Sequence, residues 1–287
     1  MDIGIGIPNT VPGTEGRRLI DWAKSAEEAG FSTLGTIGRL VYPNYEELIT
    51  LSAAAAVTSR IRLTTSVLLA PLYSNTALFA KQAASIDRLS GGRLVLGLGL
   101  GGRDDDFTAS SLPTKGKGRR LDEQLTEMKR IWSGERYGTA GAIGPEPVRR
   151  GGPELVLGGA AEASFRRVAL FGDGWIMGGG TPDMFAQAAA GVDKAWQDAG
   201  RPGKPRKLSL AYFALGSDTR NRADNYLLHY YAFMGDVAKQ IAAGAAISTE
   251  MVQGYAAAFE SVGCDELIFI PTSSAPDQVT LLADAVL

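Results

Sequence analysis

One cysteine and one histidine are all that this chain of 287 residues has of two versatile catalytic side chains. Cys264 alone permits no intrachain disulfide, so a cytoplasmic location is the simpler expectation. His229 alone argues against a histidine-based triad and against any multi-histidine metal site, and no metal is expected. Charge of one sign is scarce too. The net charge is -2 with no basic cluster, whereas nucleic-acid binding needs a concentrated positive face. No apolar run approaches the ~20 residues of a membrane span, and no basic segment precedes the first apolar residues. No membrane association is expected. There is no P-loop, no GxGxxG after the first strand where a dinucleotide fingerprint would stand, no low-complexity tract and no linker.

What is present is an alternation of short apolar runs and amphipathic stretches. Strands are expected at residues 2–7, 31–36, 61–67, 93–96, 154–157, 173–177, 208–215 and 266–270. Helices are expected at 17–29, 45–59, 75–89, 118–132, 162–171, 182–199, 221–246, 248–261 and 276–286. Gly30 stops the first helix, and Thr181 with Pro182 starts the sixth. Residues 103–117 read as an irregular excursion over the strand ends, and 133–152 as a loop rich in glycine and proline. Each connection is long enough for a right-handed crossover. The expected architecture is one α/β domain over 1–287. It is a (β/α)8 TIM barrel with an irregular insertion after strand four and an extra helix after strand seven. A barrel of about 250 residues fits this length, and an open doubly wound sheet is the alternative.

The stretch from Asp87 to Arg103, DRLSGGRLVLGLGLGGR, organises the rest. Ser90-Gly91-Gly92 ends a helix, Arg93 to Leu96 begins a buried strand, and Gly97, Gly99, Gly101 and Gly102 follow. Side chains there would hold a flat ligand away from the backbone, or the glycines serve tight barrel packing. Parallel α/β folds bind ligands at the C-terminal ends of their strands. Candidates for contact at that end are Asn9, Arg39, Tyr42, Ser66, Arg103 and Asp105. Gly158-Gly159-Ala160 directly precedes a helix, and free amides at a helix start suit a phosphate. Asp104 to Asp106 read as a polar surface loop rather than metal ligands. Lys81 and Asp87 read as structural. Tyr226, His229, Tyr230 and Phe233 share one helix face, either as a core stripe or as a roof over the pocket.

The chain resembles the luciferase-like family of flavin- and deazaflavin-dependent oxidoreductases. The resemblance rests on Ala26–Phe31 (AEEAGF), Thr58–Leu63 (TSRIRL), Ala80–Gly92 (AKQAASIDRLSGG) and Leu94–Gly102. Arg119-Arg120, Ile131-Trp132-Ser133-Gly134, Leu157-Gly158-Gly159, Gly172-Asp173-Gly174-Trp175 and Pro271-Thr272-Ser273 continue it in order. It implies a (β/α)8 barrel that binds F420, or alternatively FMN, at the strand ends. By the same resemblance Ser66-Val67, followed by Leu68, matches a non-prolyl cis bond behind the cofactor ring. Gly158, Gly159 and Ala160 match the phosphate turn; Gly97, Gly99, Gly101, Met177, Gly178 and Gly179 match strand ends along the ring and ribityl chain. Asn9, Arg39, Tyr42, Arg103 and Tyr230 fall on the substrate side. Gly35, Thr36 and Gly38 occupy the place of the histidine that the light-emitting members use, so no catalytic acid or base is assigned. Simple hydride transfer to or from a small-molecule substrate fits this departure. The alternatives are an FMN-dependent monooxygenase or reductase fed by a separate flavin reductase, and a flavin-binding barrel without turnover. A homodimer, and a partner flavin or F420 reductase, are further expectations.

Overall fold

Eight parallel strands close into a ring in the computed structural model, which describes residues 1–287. They are β1 (Asp2–Gly6), β2 (Thr33–Thr36), β3 (Arg62–Thr65, resuming at Leu68–Leu69), β4 (Leu94–Gly99), β5 (Glu154–Gly158), β6 (Gly174–Met177), β7 (Arg206–Phe213) and β8 (Glu266–Pro271). Closure is made by β1 pairing with β8, Asp2 opposite Glu266 and Ile5 opposite Phe269. Helices follow the strands and cover the ring. The barrel is therefore the expected one, and no open edge remains.

The period-2 alternation sorts the strand side chains into two layers. Ile3, Ile5, Leu34, Leu63, Leu94, Leu96, Leu155 and Trp175 face outward into the helices. Val95, Val156, Ile176, Leu208, Leu210, Ile268 and Ile270 fill the interior. The interior is lopsided. Gly4, Gly6 and Gly35 stand where a Cβ would run into Ile268 or Ile270, so small residues on β1 and β2 make room for the isoleucines of β8. At the N-terminal end, buried Glu266 accepts from Ser32, from Arg62 at 3.3 Å and from Arg206 at 2.5 Å, and Arg206 also holds Glu154 at 2.7 Å. That network ties five strand starts together on the face opposite the ligand-binding end.

Four expectations about elements change. Strand four runs through Gly99 rather than stopping at Leu96, so Gly97 lies inside the sheet. The excursion after it contains the helix Asp104–Ala109, whose three leading aspartates suit the positive end of the helix dipole. The long helix expected at 221–246 is two, Thr219–Tyr230 and Asp236–Ala243, joined by a 3-10 turn. Gly235 divides them with φ +56° and ψ −124°, which a helix cannot continue. A two-stranded hairpin, Arg136–Tyr137 with Gly141–Ala142, sits in the expected loop. No helix is long and apolar enough to cross a membrane.

Candidate functional site

The peptide between Ser66 and Val67 is cis, at the break in β3 where it was expected. Thr65 and Ser66 pin this break from both sides. Thr65 Oγ1 accepts from the Gly97 amide at 2.8 Å and donates to the Gly97 carbonyl at 2.7 Å. Ser66 Oγ donates to the Thr36 carbonyl at 3.0 Å. A Cβ on Gly97 would overlap the Thr65 carbonyl oxygen, one on Gly99 would stand 2.6 Å from Val67, and one on Gly101 3.2 Å from Leu69. Alternate glycines of β4 thus follow the broken strand beside them, residue by residue. Gly97 is packed against β3 and is not among the walls of the cleft that opens above; Gly99 and Gly101 are packed against β3 and also line it.

That cleft, about 320 Å³, is walled by Val67, Gly99, Leu100, Gly101, Gly158, Gly159, Ser164, Ile176 and Gly178. Six of these were expected from the sequence, and Leu100, Ser164 and Ile176 join them. Trp175 Nε1 donates to the Gly159 carbonyl at 2.8 Å and fixes the turn from below. No backbone carbonyl accepts from the amides of Gly159 to Ala163, so they remain free at the start of the helix Glu162–Phe171. Ala160 and Gly179 lie on these two strand-end turns outside the cleft wall. Leu68 and Met177 are instead packed into the layer between sheet and helices.

Aromatic residues roof the mouth on the β7 side. Tyr226 and Tyr230 are buried there with Tyr212, whereas Phe233 of the expected stripe is half exposed and His229 exposed. Tyr226 shares a hydrogen bond of 2.6 Å with Thr10, and Tyr212 one of 2.6 Å with Tyr231. Tyr42 packs edge-on to Tyr230 and meets His229 Nδ1 at 2.8 Å. The stripe is therefore both core and roof. Burial pushes the Tyr212, Tyr226 and Tyr230 hydroxyls well above the ordinary tyrosine range and raises that of Tyr231, so they stay protonated.

Two candidates are tied to other parts of the protein. Asn9 is buried and donates to the Ile37 carbonyl at 2.8 Å and the Tyr45 carbonyl at 3.2 Å, joining two loops. Arg39 pairs with Asp105, lies 3.9 Å from Asp106 and reaches the Tyr230 carbonyl at 3.4 Å. Asp106 also accepts from the Val41 amide at 2.7 Å. Lys81 donates to the Gly144 carbonyl and Asp87 accepts from the Val148 amide, both 2.7 Å, which are the structural uses expected of them.

A second cleft adjoins the mouth, about 490 Å³, and Arg39, Leu68, Leu69, Tyr73 and Glu47 are among its walls. Glu47 was not singled out in the sequence, where an acid at a helix start reads as a dipole partner. It is buried, and its Oε2 has no hydrogen-bond partner. The helix dipole favours a carboxylate by about 0.3–1 kcal/mol, but an unpaired buried charge costs more, so burial wins. Its carboxyl is raised well above the carboxylate range by burial and, secondarily, by Glu46. The unfolded chain gives up this proton at an ordinary carboxylate pH and the native chain only at higher pH, so unfolding releases a proton between those values. Stability therefore falls as pH rises through that window. Glu47→Gln removes the effect. Its Tm should match the parent's near pH 4.5 and exceed it by about 2–4 °C at pH 8, the response to roughly 1 kcal/mol. Thermal melts at both pH values check this, and a difference that does not change with pH contradicts it.

Residues 1–283 match the model of the family described as luciferase-like monooxygenase. The chain belongs to this family. Within it, an uncharacterized protein of Mycobacterium tuberculosis is 30% identical over 210 residues, covering 63% of this chain and 72% of that protein. The FMNH(2)-dependent dimethylsulfone monooxygenase of Pseudomonas putida is 26% identical over 217 residues, 70% of this chain and 58% of that one. The F420-dependent glucose-6-phosphate dehydrogenase of Segniliparus rotundus is 28% identical over 218 residues, 68% and 65%. Among solved structures, monooxygenase RslO1 from Streptomyces bottropensis shares the fold with TM-score 0.79 at 21% identity, covering 99% and 98% of the two chains. An F420-dependent secondary alcohol dehydrogenase does so with TM-score 0.80 at 13% identity and the same coverage. This luciferase-like chain thus has both F420- and FMN-dependent relatives, and its glycine-walled cleft lies at the strand ends of the shared barrel.

Proposed function

We propose that the chain is an F420-dependent oxidoreductase, moving hydride between the deazaflavin and a small organic substrate. The observation that carries this reading is the character of the cleft. Its nine lining residues include no ionisable side chain, so the protein offers shape and backbone donors there rather than acid–base groups. The residues present fit such a group. Gly178 has nothing within 4 Å of where a Cβ would stand, and Val67 and Ile176 give an apolar surface between glycine walls. Val67, Gly99 and Gly101 would hold the ring, and the free amides from Gly159 to Ala163, with Ser164 Oγ, the phosphate. The cofactor, when bound, supplies the two-electron chemistry. The chain's own residues place it and exclude water, the latter through the tyrosine roof. The relationship to the Segniliparus rotundus enzyme supports the deazaflavin.

Titration of cofactor-free protein with F420 and with FMN, followed by intrinsic fluorescence, tests the reading. F420 should bind at least roughly tenfold tighter than FMN, a difference of about 1.4 kcal/mol. The reverse preference favours an FMN-dependent monooxygenase fed by a flavin reductase, which the relationship to the Pseudomonas putida enzyme supports. Binding of neither cofactor overturns the assignment of the cleft.

A further inference from the structure

Two arginines are buried as whole residues, and they are used differently. Arg167 donates to Asp122 at 2.5 Å and to the Gly118 carbonyl at 3.3 Å. Arg103 is only 9% exposed and makes no hydrogen bond and no ion pair; its Nε is buried without a partner. Three aromatic rings surround its guanidinium instead. The central carbon lies 4.5 Å from the Phe233 ring centre, 4.8 Å from Tyr230 and 5.7 Å from Tyr231. Ring faces attract a cation by about 0.5–2 kcal/mol each, but they do not use its five N–H donors. A buried guanidinium without an anion is costly, and its planar fork matches a carboxylate. None of the acids nearby in sequence pairs with it: Asp105 pairs with Arg39, Asp106 accepts from Val41 through Oδ1 while its Oδ2 has no partner, and Asp104 is exposed. The chain leading to Arg103 runs past the cleft: Gly101, two residues back, is one of its walls, and a Cβ on Gly102 would have nothing within 4 Å.

We infer that Arg103 is the anion-recognising residue of the substrate site, and that the substrate is a flat organic acid. Its carboxylate takes the guanidinium fork and its apolar body lies along Tyr230, Tyr231 and Phe233. This inference rests on the reading of that mouth as the substrate side of the cleft. Arg39 on the same side is less free for this role, because its two terminal nitrogens donate to the Tyr230 carbonyl and to Asp105.

The test uses benzoate and its neutral counterpart benzamide as probes on cofactor-free protein, so its outcome is independent of which cofactor binds. Calorimetry should show benzoate binding at least tenfold tighter than benzamide. Arg103→Met, which keeps a long side chain against the same rings, should lose that preference while its Tm stays level or rises, because an uncompensated charge is gone. Arg103→Lys should keep part of the preference. Equal binding of the two probes, or an unchanged preference in Arg103→Met, overturns the inference. So does a fall in Tm of more than about 5 °C in Arg103→Met, which would make the cation a structural element. A parallel titration of Arg103→Met with F420 and FMN separates the two sources of an anion. Unchanged cofactor affinity is expected, and a tenfold loss assigns Arg103 to an acidic group of the cofactor and overturns the substrate role.

Discussion

Gly178→Asp is expected to lower cofactor affinity by at least 100-fold while leaving the fold intact. Gly178 follows the last residue of β6 and lines the cleft with ordinary backbone geometry, and the Cβ position is open. Nothing in the protein needs to move to admit the new side chain. What it changes is the cleft, where it adds bulk and a negative charge in the space shared with the phosphate turn. At least about 2.7 kcal/mol of binding is lost at that fold-change. Gly159 is a poorer choice for the same test. Its φ of +125° strains any other residue, and a Cβ there would stand 2.8 Å from Ser164 Cβ. A fluorescence titration and a melt on one preparation check the prediction; unchanged affinity would place the cofactor elsewhere.

The second large effect is on stability. Gly97→Ala drives a Cβ into the Thr65 carbonyl oxygen, a backbone atom in the buried third strand. Relief requires β3 and β4 to separate where Thr65 Oγ1 holds both the amide and the carbonyl of Gly97. Overpacking alone costs about 1–3 kcal/mol, and two buried hydrogen bonds at about 1 kcal/mol each are endangered with it. A loss of about 3 kcal/mol or more, a fall in Tm of at least roughly 6 °C, is expected. Gly102→Ala is the control, with nothing within 4 Å, and should shift Tm by less than about 2 °C. Similar melts for the two variants would contradict the account of these glycines.

These two glycines show how far the sequence could be read. Runs such as Arg93 to Leu96 and Glu266 to Ile270 carry the barrel in their own composition, and Gly158-Gly159 before a helix marks the cleft locally. The close packing of Gly97 in GLGLGG depends on a neighbour 32 residues away, Thr65, which no local pattern reveals. The commitment of Arg39 to Asp105 spans 66 residues, and the burial of Glu47 depends on the loop around Gly38. Arg103 was visible as a candidate from its place after the glycines. Its lack of any partner is a property of the folded mouth, where rings from residues 230–233 surround it. The break of the expected helix at Gly235 was legible only as a lone glycine, which helices tolerate at a cost.

The central claim is that the cleft between Val67, the β4 glycines and the Gly158–Gly159 turn holds the cofactor. A crystal structure of the protein with F420 or FMN bound tests it most directly. The account predicts the ring against Val67 and the phosphate within hydrogen-bonding distance of the amides from Gly159 to Ala163. A cofactor seated in the neighbouring cleft beside Glu47, or a phosphate away from that turn, would contradict it.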